Sequence, residues 1–207
     1  MDELGFKASG KDKITVNGIE IGKEEKVVYL LNKPKNVISA ASDSRGRQTV
    51  VDLIDCQYRL YPIGRLDYDS SGLLLLSNDG ELTNQLTHPK YEVEKVYEVL
   101  VDKLVSNSEM DKLSKGVKID NYITAPAKII RLQANNNKKT TLMKVTIHEG
   151  KNREIRKMFA TINAKVLRLH RIQEANIQLG TLQPGEYRLL KPIEIKKLKK
   201  YLDTDNT

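Results

Sequence analysis

GRLDYDSSGLLLLSNDG, residues 64–80, packs a turn, a strand and a helix start into one short stretch. Its first part is polar and bounded by Gly64 and Gly72, the chemistry of a turn. Leu73–Leu76 is an apolar run of strand length. Asn78-Asp79-Gly80 ends that run, and the Asp79 carboxylate can cap a helix over Glu81–Leu86, which Pro89 stops.

Working outward, Val27–Leu31 reads as a buried strand, and the Asn-, Ser-, Arg-, Lys- and Gly-rich residues 32–47 as a loop or exposed edge. Residues 94–101 form a strand rich in β-branched and aromatic side chains. Ser106-Asn107-Ser108-Glu109 is a capping box that starts a helix ended by Gly116. Residues 123–133 and 140–148 are strand-like around the loop Asn135–Lys139, and strands return at 165–172 and 186–190. Helices are predicted over 152–162, where Ile155, Met158, Phe159 and Ile162 keep one face, and over about 192–202, with Ile195, Leu198 and Leu202 on one side. Strands dominate and helices are interspersed, so the expected class is α+β with a mixed, largely antiparallel sheet. There is no internal repeat.

Several function classes drop out on composition. The chain has 207 residues with 39% hydrophobic content, enough for a real core and too much for a disordered tail. No apolar run approaches a membrane span, and the single cysteine, Cys56, excludes an internal disulfide, a cysteine-based zinc site or a redox pair. A cytoplasmic setting is expected. Net charge is +8, with 35 basic against 27 acidic residues, which favours a polyanionic partner such as nucleic acid. The sequence holds no phosphate-cradling glycine loop and no nucleophile elbow, and His88, His148 and His170 are far apart. Asp67-Tyr68-Asp69-Ser70-Ser71-Gly72 imitates the first half of a calcium-binding loop, but Asn78 stands where the bidentate glutamate belongs and a strand follows where a helix should.

Two constellations remain. Asp67 lies between Arg65 and Asp69 in a glycine-bounded turn, where an aspartate can be a turn former or a catalytic acid. The segment Glu149–Lys157 opens the helix over 152–162. With Ile155 at the origin of that wheel, Arg156 falls about 100° round, at the edge of the buried face, while Arg153 and Lys157 fall at about 160° and about 200°, outward. An arginine at a buried edge usually has a carboxylate or phosphate partner.

Three blocks in order, GRLD with its DxSSGLLLL continuation, EKxY at Glu94–Tyr97 and EGKNRxIRKM at Glu149–Met158, resemble the RsuA/RluB type of ribosomal RNA pseudouridine synthase. The resemblance runs from about Lys26 to Leu190, and its wording leans toward the RluB branch, which acts on large-subunit rRNA. It implies the pseudouridine synthase fold, with a central cleft flanked by two subdomains in a catalytic domain over 26–203. Residues 1–25 resemble only the end of an S4-like RNA-binding domain, with a strand at Ile14-Thr15-Val16, as in a truncated or naturally short protein. Gln173-Glu174-Ala175 replaces the Ile-Gly pair common after the Leu-x-Arg segment.

The activity implied is isomerisation: uracil leaves C1′ of its ribose, turns, and rejoins through C5, with no cofactor and no metal. Asp67 matches the family aspartate, Arg156 the arginine that pairs with it, and Tyr97 the tyrosine that packs on uracil near C5. Leu169 matches the apolar residue closing the pocket, with Leu167 as the alternative, and Arg65 a residue that fills the space left by the flipped base. Lys33, Lys35, Arg45, Arg47, Lys151, Arg153 and Lys157 are the candidate RNA-backbone contacts. The implied partner is ribosomal RNA or an assembly intermediate, met by a monomer. A small-subunit rRNA enzyme and a non-catalytic RNA- or ribosome-binding module are the alternatives.

Overall fold

The computed structural model describes residues 24–204 together with the strand residues 15–16 and 19–20. Most of the segment 1–25 expected to be S4-like, including the Asn17-Gly18 turn, lies outside the described residues; within it β1 (Thr15–Val16) pairs antiparallel with β2 (Ile19–Glu20).

The rest of the fold follows as β3 (Val28–Lys33), β4 (Tyr61–Ile63), β5 (Ser71–Ser77), α1 (Gly80–Thr87), β6 (Lys95–Val101), α2 (Asn107–Ser114), β7 (Lys118–Ile119), β8 (Tyr122–Ile123), β9 (Lys128–Asn135), β10 (Thr140–Ile147), α3 (Glu154–Ala160), β11 (Val166–Glu174), β12 (Ile177–Gln178), β13 (Tyr187–Leu189) and α4 (Pro192–Thr204). One nine-stranded sheet runs β13-β3-β5-β11-β6-β10-β9, with β4 also paired to β5 and β12 to β11. Every pairing in it is antiparallel except β5 with β11, which run parallel through Ser71↔His170 and Gly72↔Arg171. The expected mixed, largely antiparallel α+β sheet is the one found.

The Leu73–Leu76 run has a simple cause. Leu74 and Leu76 enter one core with Tyr97, Val99, Ile155, Met158 and Phe159, while Leu73 and Leu75 enter a second core with Leu82, Leu86, Leu198 and Leu202. The central strand is covered on both faces, so apolar side chains fill both positions of the pleat. Helices α1 and α4 close one side; α2 and α3 contribute to the other.

Local signals hold as well. Asp79 accepts from the backbone N–H groups of Glu81 and Leu82, and Ser106 and Glu109 form the reciprocal capping box. The strand read at 123–133 is in fact two, β8 and β9, separated by Thr124-Ala125-Pro126-Ala127 where the proline cannot donate to a ladder. The calcium-loop reading fails here too, because β5 follows Ser70 and Asn78 is occupied in bonding Val27 N–H and the Glu25 carbonyl.

Candidate active site

The link from β4 to β5 carries Asp67. The turn Asp67–Ser70 is closed by Ser70 N–H on the Asp67 carbonyl at 3.0 Å, and Asn36 N–H bonds the Tyr68 carbonyl at 2.8 Å. Ser39 Oγ bonds the Leu66 carbonyl at 2.8 Å and accepts from Leu66 N–H at 3.1 Å. The turn leads straight into Gly72, whose φ of +109° suits glycine alone; a Cβ there would lie 2.2 Å from the Arg171 carbonyl oxygen. The Asp67 turn is thereby fixed against β11.

Beside this turn opens a cleft of about 690 Å³. Asp67, Arg65, Tyr97, Leu169, Lys151 and Arg153 all line it, so the structure brings together four of the chemically central residues read from the sequence and two of the basic ones. Tyr97 and Leu169 are each 6% exposed and line the cleft, whereas Leu167 is 44% exposed and is not among its lining residues. Burial raises the Tyr97 phenol above its usual range, so it stays a neutral donor.

Arg156 lies at the buried edge of α3, as its wheel position requires, but its carboxylate partner differs from the expectation. Its guanidinium contacts Asp69 Oδ2 at 3.1 Å, Ser70 Oγ at 3.3 Å and the Val166 carbonyl at 3.1 Å. The guanidinium that approaches the Asp67 carboxylate, at 3.7 Å, is that of Arg153, which also bonds Asp69 at 3.3 Å. The reason is the turn: it presents Asp69 toward the α3 edge, and the anchor to Val166 holds Arg156 there. Burial pushes the Asp69 carboxyl up, yet the hydrogen bond from Arg153 and the charge of Arg156 outweigh it and hold it below the ordinary range.

Lys33 requires a second correction. It is not an RNA-facing cation but is fully buried, donating to the carbonyls of Pro34 at 3.0 Å, Asp67 at 3.2 Å and Ser70 at 3.0 Å. It ends the buried strand β3, whose inward register carries it under the turn. Lys35, Arg45 and Arg47 are exposed on the following loop, with Arg47 held bidentately by Asp43 at 2.7 and 3.1 Å. Lys151 pairs with Glu149 at 2.7 Å and sits 3.6 Å above the Tyr122 ring; Lys157 pairs with Asp120. Arg65 is exposed at the cleft mouth.

The sequence reading missed the polar floor of the cleft. Arg171 stands directly across the ladder from Tyr97, and Glu174 from Lys95. Arg171 and Glu174 are 2% and 1% exposed at the side chain and lie 3.2 Å apart, with Arg171 Nε bonded to the Leu73 carbonyl at 2.7 Å. Burial lowers the Lys95 ammonium pKa, partly offset by Glu174. At the entrance of α3, Glu154 is 4% exposed and accepts from Lys151 N–H at 3.0 Å; burial, with Glu149 beside it, pushes its carboxyl up to about 7. Leu169 offered the signal for Arg171, since residues two apart share a strand face.

An acid on a braced turn and a buried tyrosine in the lining of one cleft, with a leucine in its wall and arginines exposed at it, suit a flat heterocycle attached to a polyanionic backbone. The RNA pseudouridylate synthase family matches residues 27–161. The chain is 46% identical over 202 residues to ribosomal large subunit pseudouridine synthase B of Bacillus subtilis (strain 168), covering 97% of this chain and 83% of that protein. It is 38% identical over 179 residues to ribosomal large subunit pseudouridine synthase E of Vibrio parahaemolyticus, covering 80% and 74%. A crystal structure of a pseudouridylate synthase superposes with a TM-score of 0.77 at 31% identity over 93% of this chain and 83% of that one. The chain therefore belongs to the RNA pseudouridine synthase family.

Proposed function

We propose that the protein isomerises a specific uridine of large-subunit ribosomal RNA to pseudouridine, with Asp67 as the catalytic carboxylate. The observation that carries the reading is the presence of Asp67, Tyr97 and Leu169 together in the lining of one cleft. The likeness to two relatives named as large-subunit enzymes supports the choice of RNA.

In this reading an extruded uridine enters between Tyr97 and Leu169. Tyr97 offers the base a flat apolar face and a neutral hydroxyl near C5. The Asp67 carboxylate assists departure of uracil from C1′, and Arg153 at 3.7 Å helps to hold it in place. Arg156 acts one step back, fixing Asp69 and Ser70 and so the shape of the turn. Arg65 at the mouth stacks where the base leaves the helix. Lys35, Arg45, Arg47, Lys151, Arg153 and Lys157 provide positive charge for phosphates, the affinity of which falls with salt. The catalytic unit is residues 26–203, with a wall of the cleft from each core, and residues 1–25 are the end of an S4-like RNA-binding element. The enzyme acts as a monomer in the cytoplasm on rRNA or an assembling subunit. No described helix is long and apolar enough to cross a membrane.

The test is a pseudouridine map of rRNA from cells with and without this protein. One large-subunit position should lose its signal with the protein absent and regain it on complementation. Unchanged maps of both subunits would overturn the proposal.

A further inference from the structure

A fully buried lysine is costly, and Lys33 has a geometry that uses its charge. Its three N–H groups meet three backbone carbonyls: Pro34 at 3.0 Å, Asp67 at 3.2 Å and Ser70 at 3.0 Å. The last two are the ends of the turn that carries the catalytic carboxylate. A neutral amine has two hydrogens and leaves one carbonyl unpartnered. The charged groups facing Lys33 across this turn are Asp67 and Asp69, and Arg153 and Arg156 of the α3 end reach those carboxylates from the other side.

We propose that Lys33 is a positioning residue for the isomerisation: its ammonium clamps both ends of the Asp67–Ser70 turn and places a positive charge behind Asp67, so turnover requires Lys33 to be protonated. This rests on the reading of Asp67 as the catalytic carboxylate. Burial lowers the Lys33 pKa from 10.5 to about 8, against the pull of Asp67 and Asp69, so the clamp releases within reach of ordinary assays.

The sign of the linkage separates this from alkaline unfolding. Between about 8 and 10.5 the unfolded chain holds the Lys33 proton and the native chain does not. Stability from this group therefore rises with pH across the window in which activity falls.

The experiment is single-turnover tritium release from C5-labelled uridine in an rRNA fragment at saturating protein, from about pH 6 to about pH 10, with melting followed over the same range. Wild type, Lys33→Gln and Asp67→Asn are compared. The wild-type rate should fall as one proton is lost near pH 8 with no loss of melting temperature. Lys33→Gln should be slower by at least about tenfold at neutral pH, lack that alkaline fall, and bind RNA within about threefold of wild type. Titration of the substrate is common to both proteins and cancels in the comparison. A wild-type rate that stays flat, or a Lys33→Gln protein with the wild-type rate or the same alkaline fall, overturns the proposal. Should Lys33→Gln not fold, the wild-type rate and melting profiles decide alone. Tritium release by Asp67→Asn would sink the reading of Asp67 itself; an inactive Asp67→Asn beside an unaffected Lys33→Gln would sink only the role of Lys33.

Discussion

Replacing Glu174 by alanine should be among the most damaging single changes in the cleft, and for electrostatic rather than packing reasons. Glu174 and Arg171 are 1% and 2% exposed at the side chain, and their charged groups lie 3.2 Å apart. Without the carboxylate, the Arg171 guanidinium keeps its Nε bond to the Leu73 carbonyl but has an uncompensated charge in the protein interior. Removing one partner of such a pair costs about 3–5 kcal/mol. For a chain of this size that corresponds to a fall in melting temperature of roughly 6–20 °C. Glu174→Gln, which keeps the volume and one acceptor, should cost about 1–3 kcal/mol. The double variant Arg171→Met with Glu174→Leu removes both charges and should recover at least about 2 kcal/mol of the alanine loss, because the pair is held at a desolvation cost. The assay is urea and thermal unfolding by circular dichroism, since the chain has no tryptophan. A Glu174→Ala protein melting within about 2 °C of wild type, or a double variant no more stable than the single one, would refute the unpaired-charge argument.

Gly72→Ala should destabilise by at least about 3 kcal/mol and impair the site, because the added Cβ meets the Arg171 backbone at 2.2 and 2.5 Å and the φ of +109° resists any L side chain; a melting temperature near wild type would contradict it. Glu154→Gln should stabilise at pH 8 and change little at pH 5. The folded carboxyl, raised from 4.5 to about 7, is neutral at the lower pH and charged at a cost of up to about 3 kcal/mol at the higher one, so stability from this group falls as pH rises between those values. Equal effects of that substitution at both pH values would show that Glu154 is not held protonated.

Much of the fold is legible because it is local. The capping box at Ser106–Glu109, the Asp79 cap and the wheel of Ile155, Met158, Phe159 and Ile162 all act within a few residues, and each appears in place. The site is legible to the extent that its motifs are contiguous, as with Asp67 and Tyr97. What the sequence hides is long-range. Lys33 reads as a loop cation because its acceptors Asp67 and Ser70 are 34 and 37 residues away. A helical wheel gives the side on which Arg156 lies but not how far it reaches, and so not the choice of Asp69 over Asp67. Alternation from Leu169 finds Arg171 and then points to Gln173; the register shift between Arg171 and Gln173 turns Glu174 inward instead. A bulge of that kind leaves no periodic trace.

In the proposed function, Asp67 carries the chemistry in this cleft. The most direct test is tritium release from C5-labelled uridine in large-subunit rRNA by purified wild-type protein and Asp67→Asn, with RNA affinity and melting temperature measured in parallel. Wild type should release tritium from one position. Asp67→Asn should bind the same RNA and melt close to wild type, since Asp67 is partly exposed and its carboxylate's contact to Arg153 is 3.7 Å at the cleft surface, yet release none. Release by Asp67→Asn at a rate near wild type would contradict that role for Asp67.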